Sequence, residues 1–470
     1  MLGYLFYLAV ASTILLAMVN WRAALYVCLV LDVVRDPVRK LAEGQSVLIT
    51  QSVNVVWVAI VAGVLLQERR RIGVLVWQHP QLRTAAILLC AALVPGAVVS
   101  SVSFEGGWRI AVLGAASYLA IVPGILIGYC LVRDERDVVS FFAVYSLANS
   151  AAFVGAILEY VKAAVPGLGG IGIHWIRNRE GYFVDLICGF YRSPDLLGLH
   201  AATVCMFAVV VGLMRPRGAR LGWFALVPWA AFAMFLSGRR KMLAMPFIFA
   251  LGLVYFHIRS HKTSQAIKYG LVSLIGVVAV VVFSETLGLR GTYTDYAATT
   301  VTEGSDRFSV GILNSPLTSL SQNGILGGGL GTATQGSYQV TGQSLTWQED
   351  GGGRLFVELG LPGVVLFFIA ALLLIRRCRI SLAMLPPGTP LFRLEVSLIC
   401  ILLANLASFI ISHQAYSGDP SSICIVLICL GAALSLPSST RTDMPLQPVG
   451  LAIREPTAQS RREGSATWWT

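Results

Sequence analysis

The chain has 470 residues and a formal net charge of +11, with 56% hydrophobic residues against 13% charged. A mean hydropathy of +0.73 lies outside the range of soluble globular domains, which excludes a soluble enzyme. The basic residues sit mostly in short clusters between apolar runs, as cytoplasmic loops demand, so nucleic acid is not an expected partner.

A segment in lipid must satisfy its backbone internally, so apolar stretches of about twenty residues read as helices. The expected fold class is all-α, a polytopic integral membrane protein. Leu2 to Val19 lacks a basic flank and a cleavage site, and reads as a retained helix. Further spans are expected at 46–66, 84–104, 110–132, 138–158, 196–214, 221–236, 242–258, 267–285, 355–375, 394–413 and 420–436. That makes about twelve, an even number that puts both termini on one side. Residues 23–34 form an apolar run too short to span, ending in Arg35, Asp36, Pro37, Arg39 and Lys40, and are expected to be a re-entrant or interfacial helix. Arg69, Arg70 and Arg71, Arg133 and Arg136, Arg215, Arg217 and Arg220, Arg259 and Lys262, and Arg376, Arg377 and Arg379 all face one way in this scheme, which marks the cytoplasm.

Residues 1–436 thus form a membrane domain, followed by a polar cytoplasmic tail at 437–470 that reads as disordered. Two long outer loops remain, 159–195 and 286–354. Loops of this length are uncommon unless functional or disordered, and their aromatic residues and mixed charges favour function. Seven of the nine cysteines lie inside apolar runs and the six histidines are scattered, so no metal and no cofactor is expected.

Three segments stand out chemically. Ser237, Gly238, Arg239, Arg240 and Lys241 put three cations on the outer side, against the positive-inside rule. Guanidinium groups there suit phosphate oxygens, while an interfacial anchor is the plainer reading. Tyr191, Arg192, Ser193, Pro194 and Asp195 open a span; Ser193 or Asp195 can cap it and Pro194 suits its first turn. Arg192 is unexplained by capping, since a cation opposes the dipole at a helix N-terminus unless an anion completes the site. The third segment runs from Trp347 through Glu349, Asp350, Gly351, Gly352, Gly353, Arg354 and Glu358 to Gly363. Arg354 and Glu358 are spaced to pair on a helix, leaving Glu349 and Asp350 over. The glycine triplet either lets backbone approach a ligand or acts as a hinge.

These segments resemble the O-antigen ligase and O-antigen polymerase superfamily. FYRSPDLLG, FLSGRRKMLA, and SDRFSVGILNSPLTSLSQNGILGGGLGT followed by GGGRLFVELGLPGVVLFF stand in that family's order, the last being the most specific. The resemblance implies a metal-independent, inverting glycosyltransferase on the outer face of a bacterial inner membrane. Its partners would be a polyprenyl diphosphate-linked oligosaccharide donor, a glycan acceptor, membrane lipids and, as a further candidate, a chain-length regulator. Carried over, Arg192, Arg239, Arg240 and Arg307 would hold the diphosphate, with Asp195, Arg354 and Glu358 in support. Glu349, next to Asp350, stands where many members have histidine, and one of these two acids would be the base. That departure favours a polysaccharide polymerase over a standard ligase. A transporter is the reading from another class, and it calls for repeated halves and midplane charges that the sequence does not display.

Overall fold

The computed structural model describes residues 1–171, 174–179, 182–260, 303, 306, 309–334, 336–337, 348–417 and 419–439. The expected span 267–285, Arg307 and the tail from 440 lie outside the described residues. What is described is almost entirely helical, and the chain is an all-α polytopic membrane protein. Eleven segments are long and apolar enough to cross a membrane, and they coincide with the other eleven expected spans.

The helices run α1 (Leu2–Val19), α2 (Trp21–Leu41), α3 (Val47–Gln67), α4 (Arg69–Gln78), α5 (Pro80–Ser103), α6 (Gly107–Leu119), α7 (Ile121–Leu131), α8 (Glu135–Ala152) and α9 (Val154–Tyr160). An antiparallel hairpin of β1 (Ile176–Arg179) and β2 (Tyr182–Asp185) follows, pairing Ile176 with Asp185. Then come α10 (Pro194–Met214), α11 (Arg217–Leu236), α12 (Arg240–Arg259), α13 (Ser315–Asn323), α14 (Gly351–Ala383), α15 (Pro390–Ile411) and α16 (Pro420–Ser439). The α10 segment is 89% buried and sits inside the bundle, whereas α1 is 22% buried and lies at its edge. Asp195 and His200, in its first two turns, are buried among protein groups.

One end of the bundle gathers the basic loops. The last carbonyls of α7 lack helical partners, and two arginines supply them. Arg22 donates to Cys130 O at 2.6 Å and Leu131 O at 2.7 Å, and Arg71 donates to Cys130 O at 2.8 Å and Val132 O at 2.6 Å. Arg22 also lies 3.8 Å from both Glu68 and Asp137. Gln67 reaches Ala17 O and Met18 O, which fixes the end of α1 at this same basic end.

Residues 23–34 correct the sequence expectation. They are the interior of α2, whose Asn20 side chain accepts from Ala23 N at 3.1 Å and so starts a new helix one residue after α1 stops. Arg22, near its start, is at the basic end. Lys40, near its finish, donates to Gly189 O at 2.9 Å and Tyr191 O at 2.7 Å beside the start of α10, at the opposite end. A helix of 21 residues is about 31 Å long, enough to cross the hydrocarbon core. Its charges hid this from a hydropathy reading: Asp32, Arg35 and Asp36 are buried on its inner face. Met1 and Ser439 consequently lie at opposite ends of the bundle, not at one end as twelve spans would have it.

Close approach between α7 and α16 depends on small residues. Gly124 and Gly128 lie four apart on one face of α7; a Cβ on either would run into Leu427, Cys424 or Ile428, and one on Gly431 would run into Ile125 and Tyr129.

Candidate functional site

The end opposite the basic loops is built around the N-terminus of α10. Its approach segment is tied down first. Glu159 accepts from Cys188 N and Gly189 N, while Lys40 holds the Gly189 and Tyr191 carbonyls. Tyr191 donates to Asn149 Oδ1 at 2.8 Å and stacks on His200 with ring centroids 5.1 Å apart. His200 Nδ1 is in turn 2.7 Å from the Tyr145 hydroxyl. Ser193 then caps α10 by accepting from Leu196 N, as the sequence suggested.

Asp195 stands in the first turn and is shared by two cations. Arg239 approaches it at 2.7 Å and Lys241 at 3.1 Å. Both arrive from the turn between α11 and α12, where Gly238 has φ +63° and a side chain would strike Leu186. The Arg239 guanidinium also lies over the Trp175 ring, 5.6 Å from its centroid, just before β1. Lys241 donates to Ser412 Oγ at 2.6 Å, which joins this group to the end of α15. Arg240 turns elsewhere and pairs with Glu303 at 3.1 Å.

Next to Ser412 the chain brings in His413, a residue that sequence spacing could not connect to the large loop. Its backbone N–H donates to Glu349 O at 3.2 Å and its ring Nε2 lies 2.9 Å from Gln348 O. Burial, together with Arg354 and Lys241 nearby, holds the imidazole well below its usual pKa, so it is neutral. A neutral ring that donates from Nε2 suits a carbonyl partner. The backbone bond to His413 places Glu349 one residue from Ser412, whose hydroxyl Lys241 holds. Asp350 serves the fold instead, because its Oδ1 accepts from Gly353 N at 2.6 Å and caps α14.

Arg354 and Glu358 form a closed network under the site. Arg354 Nε lies 2.9 Å from Glu358 Oε2, and its NH2 donates to Ser117 and Thr334, both at 2.9 Å. Tyr118 and Thr334 hydroxyls and Ala333 N donate to the same Glu358 carboxylate. Glu358 is 0% exposed, and the pair ties Ala333 and Thr334, just after the Gly-rich run 327–331, to α6 and α14. Gly328 N donates to Val357 O and Leu330 N to Gly96 O, both at 2.8 Å. The triplet Gly351, Gly352 and Gly353 is equally tight, facing Phe409, Gly311 and Ser315. In both glycine runs the backbone packs closely against neighbouring protein.

A second charged group escaped the sequence reading. Arg35 on α2 pairs with Asp419 at 2.6 Å and Asp32 at 3.1 Å. Asp36 accepts from Arg192 N at 3.0 Å and lies 3.3 Å from its NH1, and Asp419 is 3.8 Å from its NH2. Burial opposes ionisation of Asp419, but Arg35 and Arg192 outweigh it and hold the carboxyl below the usual carboxylate range. The signal was present in the sequence: charges at 32, 35, 36, 39 and 40 recur at helical spacing.

The structure thus gathers Asp195, Arg239, Lys241, Ser412 and His413, holds Arg192 on Asp36 and Asp419, and turns Arg240 to Glu303. Arg307 lies outside the described residues. No protein-family model matches the chain, and no curated protein matches it.

Proposed function

We propose that the protein is a metal-independent, inverting glycosyltransferase that polymerises polyprenyl diphosphate-linked oligosaccharide repeats into an exopolysaccharide or O-antigen. The observation that carries this reading is the shared Asp195, which holds Arg239 and Lys241 together at the end opposite the basic loops. Two cations on one carboxylate leave positive charge for an anion, and a diphosphate is the anion that a membrane glycan donor carries. The acceptor hydroxyl oxygen attacks the anomeric carbon from the face opposite the diphosphate, the bond to diphosphate oxygen breaks, and the hydroxyl proton passes to a base. Arg192, Arg239, Lys241 and, on the resemblance, Arg240 and Arg307 stabilise the charge that develops on the leaving group. Of the two expected acids, Glu349 is the better base because Asp350 is engaged as a helix cap.

In this reading the basic end faces the cytoplasm of a bacterial inner membrane and the site faces outward. With α2 counted, and 267–285 as expected, thirteen spans place Met1 outside. A ligase that moves a lipid-linked glycan to lipid A core or protein uses the same chemistry. A transporter is favoured by one observation: Asp32 lies about midway along α2 and is buried with Arg35, where the sequence reading saw charges only at the outer boundary. Deleting the protein and analysing cell-associated glycans separates the three. Single lipid-linked repeats on the outer face are expected; full-length lipid-linked polymer would mean a ligase, and repeats trapped inside would mean a transporter.

A further inference from the structure

Arg192 occupies a position that a helix dipole disfavours, immediately before the Ser193 cap of α10. It is held there by a ladder of charges that rises through the bundle. Fully buried Arg35 pairs with Asp419, and Asp419 and Asp36 both reach Arg192. Asp36 grips it twice, through the backbone N–H and through the guanidinium. Exposure rises along the ladder: 1% for Arg35, 2% for Asp419, 3% for Asp36 and 17% for Arg192. Arg192 is thus the most exposed member of the ladder, with the two carboxylates more deeply buried than its guanidinium. Asp419 is itself fixed by Ser422 Oγ at 3.0 Å, and Ser421 is 3.4 Å from Arg35.

We propose that Asp36, braced by Arg35 through Asp419, is a positioning residue that aims Arg192 at the diphosphate of the lipid-linked donor. The proposal rests on the function given above. It differs in sign from simple neutralisation. Asp36 carries a negative charge 3.3 Å from the guanidinium, and that charge by itself repels an anion. If Asp36 only offset charge, removing its charge would strengthen diphosphate binding. If it sets the direction of the guanidinium fork, the same change weakens binding, because bidentate recognition depends on geometry.

The test uses the full-length chain in lipid nanodiscs with polyprenyl diphosphate as the probe, comparing wild type with Arg192→Ala, Asp36→Asn, Asp36→Glu and Arg35→Lys. Affinity should fall roughly tenfold for Asp36→Asn and recover in large part for Asp36→Glu. Thermal unfolding of each variant identifies those that fail to fold. Should Asp36→Asn be one of them, Arg35→Lys decides, since it keeps the charge and alters the brace: weaker binding supports the proposal and native binding overturns it. Native or tighter binding by folded Asp36→Asn, with Arg192→Ala weakened, overturns the positioning role and leaves the diphosphate reading standing. Equal, measurable binding by wild type and Arg192→Ala overturns the positioning role alone, whereas no binding by wild type overturns the diphosphate reading.

Discussion

Asp195 and Arg239 meet at 2.7 Å across the first turn of α10 and the turn that opens α12, and Lys241 completes the group from the other side of the same carboxylate. The side chains are 7%, 14% and 9% exposed, so these charges have little water to fall back on. Asp195→Asn should destabilise the protein by about 3–5 kcal/mol, because it leaves two largely buried cations without their counter-charge. Denaturant or thermal unfolding in detergent measures this. A native transition would show that the cations are offset by something other than Asp195.

The path of α2 makes a prediction about sidedness. A cysteine at Glu43, in the exposed turn after α2, should be labelled by an impermeant reagent from outside the cell, and one at Arg69 only after permeabilisation. A reporter fused at Met1 should register outside and one after Ser439 inside. Labelling of both cysteines from the same side would refute the crossing.

The two acids before α14 should behave differently. Asp350→Asn keeps an oxygen for the Gly353 N–H and should cost under about 1 kcal/mol of stability with turnover largely retained. Glu349→Gln removes the proposed proton acceptor and should cut polymer formation by about a hundredfold or more without loss of protein from the membrane. Polymer made by cells carrying each variant is the measurement. Native polymer from Glu349→Gln would eliminate it as the base.

His413 sets a pH dependence. Its folded pKa is well below 6.5, chiefly through burial and then through Arg354, so below pH 6.5 the unfolded chain binds a proton that the folded one does not. Stability from this residue is complete above pH 6.5 and is lost as pH falls toward the folded pKa. Melting temperature should drop between pH 7 and pH 5, and the drop should be smaller in His413→Gln, which has no proton to take up. Identical pH profiles for the two would place the imidazole in a solvated setting instead.

Much of this protein was legible without coordinates, because the properties involved are local. Hydropathy over about twenty residues marks a span wherever it occurs in the chain, and eleven expected spans are helices of the expected kind. The helical spacing of Arg354 and Glu358 and the cap at Ser193 are likewise matters of neighbouring residues. The same locality misled at α2, where Asp32, Arg35 and Asp36 lower the average that a hydropathy reading depends on. Only packing could show that these charges turn inward and find partners: Arg35 meets Asp419 from 384 positions away. His413 beside Glu349, Lys241 on Ser412 and Asp36 under Arg192 are contacts of the same type. Each joins segments whose separation in sequence carries no information about distance in space, and in a bundle of many helices only the way they pack decides which buried charges meet.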